Sequence, residues 1–414
     1  MSTCGSTSPI PPTSSPMPDC CIIGGGIIGL SVARELAGRG HAVRVLSRDS
    51  RRDTASWAAA GIFPPAPWRE GLPPGEALTA WSDRLHREWA RDLRAETGID
   101  TGLESCGGLH LTGSESARPR LDAEVREWLV RGAACEPLDG RGVAECEPAL
   151  AGAVDRGTVI GGYLLPEEMQ MRPPRHLEAL ERSCLGRGVT LLRDAEVDSV
   201  EVDRGRVTGL KVRVGGVSRS LPADVYVLAA GAWSGGLADA LGLRVETRPI
   251  RGQIALLKLP RQVLARVVNR GLDYLVPRQD GSLLVGSTIE DAGFDRSTVD
   301  AAIERLLGVA RDLLGDIAAT RPEQAWAGLR PGSADGLPSI GRTPACDNAY
   351  VAAGHFRAGL HQSTGTAVLV ADMIEGRPSA IDPAPFRPDR PRSDAGPDAV
   401  AAYVARAAAE AAGN

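Results

Sequence analysis

The chain has 414 residues, enough for two or three domains that each bury a core of their own. A formal net charge of −5 and a pI near 5.8 exclude the broadly basic surface of a protein that binds nucleic acid or an anionic membrane. Its partner is therefore expected to be a small molecule. The eight cysteines show no CxxC and no paired spacing, which argues against a zinc site or a disulfide framework and favours a reduced, cytoplasmic compartment.

The N-terminal part of the chain predicts a tail followed by a βαβ unit. Residues 1–18 are rich in Ser, Pro and Thr and lack the features of a signal peptide, so they are interpreted as a flexible tail. A short apolar run at 20–23 stops at glycine, as a buried strand does, and an apolar helical face follows. The second strand is expected at 42–46. No apolar run approaches the length that spans a bilayer.

Further along, helical periods alternate with turn signals. Residues 76–97 carry leucines and tryptophans at helical spacing, which predicts an amphipathic helix with a buried face. Asp280 and Gly281 predict a hairpin turn, and Ser297 with Asp300 predicts the start of a helix that runs to about residue 314. The other expected helices are 123–131, 175–187, 364–374 and 398–412, and the other expected strands are 189–192, 225–229, 274–277, 282–285 and 350–353.

The arrangement predicts the α/β class, with one Rossmann-like domain assembled from three separate stretches and a smaller, β-rich α+β substrate domain between them. Such a division places the active site at the interface between the domains. The predicted nucleotide-binding domain comprises residues 19–100, 167–235 and 325–377, the substrate domain 101–166 and 236–324, and the C-terminal linker with its alanine-rich helix 378–414.

A glycine-rich turn, GGGIIG at 24–29, joins the first strand to the first helix. Gly24 permits the tight turn, Gly26 lets a pyrophosphate approach the backbone, and Gly29 lets helix and strand pack closely. The helix N-terminus favours an anion at this place. Because both strands and the helix lie at the expected distances, the motif predicts dinucleotide binding.

The acidic residue that usually binds the ribose is missing from the end of the second strand. Ser47 and Arg48 occupy its place, and Asp49 is the nearest carboxylate. Ser47 can hydrogen-bond a ribose hydroxyl, whereas Arg48 either faces the 2′-phosphate of NADP or points to solvent. The motif therefore predicts the class of nucleotide and leaves its identity open.

Two arginines and a tyrosine are the candidate substrate ligands. Arg330 and Arg357 each follow a strand-like segment in a glycine-rich setting, so both are expected at strand ends that face the ligand. A guanidinium binds a carboxylate through two parallel hydrogen bonds, but an internal ion pair, such as Arg330 with Asp335, is equally open. Tyr274 either completes the grip on a carboxylate or packs in the core. His355 has no catalytic partner at a matching spacing and is interpreted as structural.

Several segments besides the glycine turn form a recognisable set: SWAAAGI at 56–62, AAGAWS at 229–234, DYLVPR at 273–278, GLRPG at 328–332, DGLPSIG at 335–341 and GHFR at 354–357. In order and spacing they resemble the glycine oxidases of thiamine biosynthesis, which belong to the FAD-dependent D-amino-acid oxidase superfamily. The resemblance covers roughly residues 19–376.

This resemblance implies FAD as the cofactor, held in a discontinuous Rossmann-like FAD-binding domain. It implies that Arg330 pairs with the substrate carboxylate, that Tyr274 lies over the flavin and helps to hold that carboxylate, and that Arg357 lines the pocket near the flavin ring. The FAD-binding residues that it implies, together with Arg357, are Gly24, Gly26, Ile27, Ile28, Gly29, Ser47, Ser56, Ala60, Gly61, Val197 through its main chain, Gly231, Gly354, Gly359 and Leu360.

Some positions depart from the family pattern. Ser47 stands where the family has a ribose-binding glutamate, and Ile62 and Ile289 stand where it has methionines. The loop after Gly359 reads Leu360-His361-Gln362-Ser363 in place of a mostly apolar sequence. In the family this loop lies near the pyrimidine end of the flavin, so substrate preference or oxygen reactivity is expected to differ.

The resemblance implies oxidative deamination of glycine or a similar small amino acid or secondary amine. Hydride passes from Cα to the flavin, oxygen is reduced to hydrogen peroxide, and the imine supplies the thiazole of thiamine. Two alternatives remain: a D-amino-acid or sarcosine-type dehydrogenase with another electron acceptor, and a non-catalytic nucleotide-binding sensor. A small amino acid and oxygen are the expected partners, and a metal is not expected. The oligomeric state, including a homo-oligomer, stays open.

Overall fold

The structure is a computed structural model, and it describes residues 17–48, 50–243, 245, 247–318, 320–391 and 398–412. Most of the predicted N-terminal tail, part of the predicted C-terminal linker and Asp49 lie outside the described residues. Among the described residues, no helix combines the length and the apolar character that crossing a bilayer requires.

The chain is mixed α/β, as predicted. In the described chain the α-helices are α1 Ile27–Gly38, α2 Ala55–Ala58, α3 Pro74–Thr97, α4 Arg118–Arg131, α5 Gly140–Cys146, α6 Ala151–Asp155, α7 Pro173–Gly186, α8 Ser234–Ala238, α9 Asp300–Leu314, α10 Ser363–Glu375 and α11 Ala399–Ala412. The strands are β1 Cys20–Ile23, β2 Val43–Ser47, β3 Ile62–Phe63, β4 Glu104–Ser105, β5 Gly108–Thr112, β6 Glu136–Asp139, β7 Gly161–Leu165, β8 Met169–Gln170, β9 Thr190–Arg193, β10 Ala195–Asp203, β11 Arg206–Val214, β12 Val217–Leu221, β13 Val225–Leu228, β14 Arg248–Lys258, β15 Val267–Arg270, β16 Asp273–Pro277, β17 Ser282–Gly286, β18 Gln324–Gly332, β19 Ser339–Arg342 and β20 Ala349–Ala353.

The first sheet has the strand order β19-β20-β13-β1-β2-β9 within the described residues. All neighbouring pairs are parallel except β19 with β20, and every residue of β1 is buried. Burial on both faces explains the unbroken apolar run of β1, because helices α1, α7 and α10 cover one face and a second apolar cluster covers the other. The predicted βαβ unit is confirmed.

The second large sheet has the order β18-β14-β17-β16-β15-β5-β7-β6 within the described residues, and α9 packs against its middle strands. Its edge strand β18 pairs in antiparallel register with β14 from end to end. The sequence assigns residues from 325 onward to the nucleotide-binding domain, whereas β18 belongs to this other sheet. Pairing between strands so distant in sequence leaves no local signal, which is why the assignment misses it. The division into domains otherwise stays a prediction.

Two smaller sheets, β3-β8-β4 and β10-β11-β12, complete the described architecture. The hairpin around Gly281 is confirmed, because β16 and β17 pair in antiparallel register and Gly281 has φ +82°. The start of α9 differs from the prediction. Its N-cap is Val299, and Ser297 instead bonds to Asp295, with N to Oδ1 at 2.8 Å and Oγ to Oδ2 at 2.9 Å.

Candidate cofactor and substrate site

The turn between β1 and α1 leaves room for backbone alone. Gly24 has φ +119°, and a Cβ on it would lie 2.3 Å from the Ala229 carbonyl oxygen. A Cβ on Gly29 would lie 1.9 Å from the Gly24 carbonyl oxygen, so the first turn of α1 packs on the chain that leads into it. Gly26 is the N-cap and carries no side chain that could cover the helix end. A helix N-terminus of this form presents N–H groups and a partial positive charge to an anion.

A cavity of about 480 Å³, called the narrow cavity below, extends from this turn to the end of β18. Two of the predicted cofactor residues do not line it. Gly29 packs on the turn, and a Cβ on Gly354, which has φ +84°, would lie 3.3 Å from Ser333 Cβ. The predicted cofactor residues that line the narrow cavity are Gly24, Gly26, Ile27, Ile28, Ser47, Ser56, Ala60, Gly61, Val197, Gly231, Arg357, Gly359 and Leu360. The structure therefore brings most of the predicted set together.

One wall of the narrow cavity is the segment 54–62. Ser56 Oγ accepts a hydrogen bond from the Ile27 N–H at 2.9 Å and ties this wall to the start of α1. The Trp326 indole N–H donates to the Ala58 carbonyl oxygen at 3.1 Å and ties it to β18. The segment is thus held from both sides of the cavity.

A buried arginine supports the same wall. Arg278 donates to the Ala60 carbonyl oxygen at 2.7 Å and to Gln170 Oε1 at 2.7 Å. Burial lowers the pKa of its guanidinium to about 10, which leaves it charged at neutral pH. Gly61 has φ +77°, and a Cβ there would lie 2.1 Å from the Met171 carbonyl oxygen. Arg278 belongs to the DYLVPR segment, and its contact with the Ala60 carbonyl has no signal in the sequence.

Ser47 and Arg48 follow each other at the end of β2. Arg48 is exposed, as the solvent alternative expects, and its guanidinium carbon lies 4.6 Å from the centre of the Trp233 ring. Ser47 lies against the glycine turn, because a Cβ on Gly25 would lie 2.8 Å from Ser47 Oγ. Both Ser47 and Arg48 line the narrow cavity.

A wider cavity of about 2100 Å³, called the wide cavity below, adjoins the narrow one on the side of the eight-stranded sheet. Ile289, one of the two departures from the methionine pattern, lines the wide cavity alone. The residues that line both cavities are Ile62, Tyr274, Ser287, Arg357 and His361. Two of the three predicted substrate ligands, Tyr274 and Arg357, therefore lie where the two cavities meet.

Arg330, on β18, reaches this junction by crossing the neighbouring strand β14 at Gly252, which has no side chain to block it. A Cβ on Gly252 of β14 would lie 2.1 Å from Arg330 Nη1. Arg330 Nη2 donates to Ser287 Oγ at 2.8 Å, and Nη1 donates to the Thr288 carbonyl oxygen at 3.2 Å. Two neutral oxygens fix the guanidinium and leave its charge unbalanced.

The predicted alternative for Arg330, an ion pair with Asp335, is wrong. The Asp335 carboxylate pairs with Arg390 at 2.8 Å, and Arg330 has no ion-pair partner among the residues that the structure describes. Burial lowers the pKa of the Arg330 guanidinium, Arg357 lowers it further, and the Tyr274 phenol opposes both effects. A cation held in a cavity without a counter-charge is complementary to a carboxylate ligand.

Tyr274, on β16, lies beside this cation. A Cβ on Gly286 of the neighbouring strand would lie 2.7 Å from the Tyr274 hydroxyl, so any side chain at 286 would displace the ring. Tyr274 is 7% exposed, and burial raises the pKa of its phenol while Arg330 and Ser287 lower it. The phenol is therefore protonated at neutral pH and can donate its hydrogen to a bound carboxylate.

Arg357 lies on the wall shared by the two cavities. Phe356, the residue before it, has φ +47°, and its N–H donates to the Pro331 carbonyl oxygen at 2.9 Å. This left-handed backbone turns the chain so that Arg357 faces the junction. Arg357 Nη1 donates to the Tyr403 hydroxyl, and its guanidinium carbon lies 4.9 Å from the centre of that ring. Tyr403 is a site residue that the sequence analysis misses.

The loop that departs from the family pattern is held by histidines. His86 Nε2 lies 3.0 Å from the Leu360 carbonyl oxygen and 2.9 Å from that of His361. Since both partners only accept, the proton resides on Nε2. His361 Nε2 lies 3.0 Å from Asp83 Oδ1, and its ring stacks on Phe63 with centroids 4.4 Å apart. Hydrogen bonds to His86 and Asp83 thus hold this polar loop in place beside the narrow cavity.

The residues of the narrow cavity fit a dinucleotide such as FAD. The glycine turn offers bare backbone and a helix end for a pyrophosphate, and Ser47 offers a hydroxyl at the end of β2. The opposite end of the cavity opens beside Tyr274 and Arg357, where a reactive ring would meet a substrate from the wide cavity.

Comparison with known proteins places the chain in a family. A family model described as DAO, FAD dependent oxidoreductase, matches residues 19–373. The chain is 35% identical to the glycine oxidase of Pseudomonas aeruginosa, over 89% of this chain and 97% of that protein. It is 34% identical to the bifunctional protein ThiO/ThiG of a Nostoc species, over 86% of this chain and 52% of that protein. The crystal structure of the glycine oxidase from Geobacillus kaustophilus superposes with a TM-score of 0.84 at 31% identity, over 92% of this chain and all of the other. The chain belongs to the DAO family of FAD-dependent oxidoreductases.

Proposed function

We propose that the protein is an FAD-dependent oxidase of glycine or a similarly small amino acid or secondary amine. The observation that carries the proposal is Arg330, a cation fixed by Ser287 and Thr288 where the two cavities meet. A guanidinium in that position selects a substrate with a carboxylate. The likeness to glycine oxidases supports the choice of a small amino acid.

The chain's own residues bind and orient the substrate. Arg330 donates two hydrogen bonds to the carboxylate, and Tyr274 donates a third from its neutral phenol. This three-point grip fixes the carboxylate, so that the Cα–H bond has one orientation relative to the narrow cavity. The amine must be neutral for its lone pair to assist the oxidation, and no protein base is required once it is.

FAD, when bound, would supply the two-electron acceptor for this oxidation, with oxygen as the final oxidant. The Gly24–Gly29 turn, Ser47 and the segment 54–62 would hold it. The imine product is the form in which we propose that the enzyme supplies thiazole synthesis for thiamine. We also propose that it acts in the cytoplasm, which fits the free thiols of the cysteines in the described chain.

Anaerobic reduction tests the proposal directly. Purified, FAD-loaded protein is mixed without oxygen with glycine, sarcosine or D-alanine, and the visible flavin absorbance is followed. We expect bleaching by at least one of them and one hydrogen peroxide per substrate after air is admitted. Arg330→Ala removes two charge-assisted hydrogen bonds of roughly 1.5–3 kcal/mol each, so kcat/KM should fall by about 10² or more. Arg342→Ala, at an exposed arginine of β19, is the matched control.

Each rival function gives a different result. A dehydrogenase bleaches with substrate and reduces an artificial dye, yet forms no peroxide in air. A nucleotide-binding sensor retains FAD but does not bleach with any amine, and its Arg330→Ala variant behaves like the wild type. Either outcome would reject the oxidase.

A further inference from the structure

The C-terminal helix α11 lies outside the family match, which ends at residue 373, yet it docks on the segments that form the substrate end of the site. The Ala399 N–H donates to the Ala334 carbonyl oxygen at 2.8 Å. Val400 is 1% exposed and fills the notch at Gly332, where a Cβ would lie 2.8 Å from Val400 Cγ2. The position of the helix is thus fixed by packing against the end of β18.

Asp398 anchors the first turn of the helix. Its Oδ1 accepts from the N–H groups of Val400 at 3.0 Å and Ala401 at 2.9 Å, the pattern of an N-cap carboxylate. Its other oxygen lies 3.2 Å from Arg248 Nη2. These bonds set which face of α11 meets the protein, and that face carries Tyr403 into the wall of the wide cavity.

Tyr403 contacts Arg357 in two ways at once. The phenol oxygen accepts a hydrogen bond from Arg357 Nη1, and the guanidinium lies over the ring with 4.9 Å between its carbon and the ring centre. The ring also meets Phe356 edge-on, with centroids 5.6 Å apart. Tyr403 therefore contacts both the guanidinium and the residue whose backbone aims it.

Arg357 needs such a partner to stay at the junction. The Arg357 charge lowers the pKa of Arg330, so the two guanidinium groups lie near enough to repel each other. Among the described residues, Arg357 has no carboxylate within ion-pairing distance that would hold it there. A long, flexible side chain that is repelled by its neighbour would otherwise extend into solvent.

We propose that Tyr403 is a positioning residue, which holds Arg357 at the junction of the two cavities as a second cation for the substrate carboxylate. The inference rests on the proposed function only in taking the substrate to be a small carboxylate. It makes a helix beyond the family match part of the site.

The test compares binding and turnover in Tyr403→Phe, which keeps the ring and the packing of α11 and removes the hydrogen-bond acceptor. Binding of acetate, a carboxylate that cannot be oxidised at an amine, is measured on the FAD-loaded protein by calorimetry. We expect the acetate Kd and the KM for glycine to rise by about 3- to 10-fold, as loss of one hydrogen bond predicts, with kcat changed by less than about twofold. Ala402→Ser, on the exposed face of the helix, should leave both constants unchanged.

A double variant separates positioning from any other effect of Tyr403. Adding Tyr403→Phe to Arg357→Met should weaken acetate binding no further than Arg357→Met alone. An unchanged acetate Kd in Tyr403→Phe, or an equal loss with and without Arg357, would overturn the inference. If glycine is not oxidised but acetate binding responds as expected, the proposed function fails and the role of Tyr403 stands.

Discussion

Buried histidines near the narrow cavity should make the fold sensitive to mild acid. His176 is fully buried, and neither ring nitrogen has a hydrogen-bond partner among the described residues. Burial lowers the pKa of His176 to about 3, and that of His355, which bonds to Thr366 Oγ1 at 3.0 Å, also to about 3. Burial also lowers the pKa of His86, whose Nε2 donates a hydrogen bond to the Leu360 carbonyl oxygen.

The sign of the effect follows from which state takes up protons. Below about pH 6.5 an unfolded histidine becomes protonated, whereas the folded His176 stays neutral until pH about 3. The folded state is therefore free of this penalty above about pH 6.5, and its free energy of unfolding decreases as the pH falls towards about 3. At about pH 5 each such histidine lowers the free energy of unfolding by about 2 kcal/mol, so His176 and His355 together lower it by about 4 kcal/mol. That is a large part of a typical stability of about 5–15 kcal/mol.

The measurement is urea unfolding of wild type and His176→Leu at about pH 7.5 and about pH 5, in a constant excess of FAD. Leucine is similar in size and does not titrate, so the variant should lose about 2 kcal/mol less than wild type between the two pH values. Any change in packing affects both pH values equally and cancels in this difference. Equal losses in the two proteins would show that His176 does not take up its proton on unfolding, and the reasoning would be wrong.

Three further variants test the site. Tyr274→Phe removes one hydrogen bond to the carboxylate, so the KM for glycine should rise about tenfold or more while the bound FAD stays at one per chain. Gly29→Ala places a Cβ 1.9 Å from the Gly24 carbonyl oxygen, so the purified protein should contain well under one FAD per chain, and full occupancy would contradict the role of this contact. Arg278→Met leaves the Ala60 carbonyl without its donor and should lower the unfolding free energy by about 1–3 kcal/mol, measured by urea unfolding, with Arg342→Met as the control.

Features that depend on neighbouring residues were predictable from the sequence. The βαβ unit around the glycine turn follows from an apolar run, a helical period and glycine spacing, all within about thirty residues. The hairpin at Gly281 follows from turn chemistry alone. The cap of α9 was mispredicted because the Ser297 side chain found a closer partner in Asp295.

Features that depend on tertiary packing were not predictable in this way. Nothing near Arg357 in the sequence indicates a contact with Tyr403, because Tyr403 belongs to a helix that packs against the end of β18. The nearby sequence could not show either that Asp335 does not pair with Arg330, since Asp335 pairs with Arg390 from the C-terminal segment. The family resemblance identified the candidate ligands, and the structure supplied their neighbours.

Strand β18 contributes both to the wall of the narrow cavity and to the cation that faces the substrate. Trp326, Gly328 and Arg330 share one face of the strand, because alternate residues of a strand point the same way. Trp326 holds the wall of the narrow cavity, a Cβ on Gly328 would lie 2.6 Å from Ala58 Cβ, and Arg330 forms the cation at the junction. The distance from Trp326, which holds the cavity wall, to the substrate cation Arg330 is therefore set by the rise of a single strand, about 13 Å over four residues. Deleting one residue between 326 and 330 would turn Arg330 to the opposite face of the strand and remove its cation from the junction.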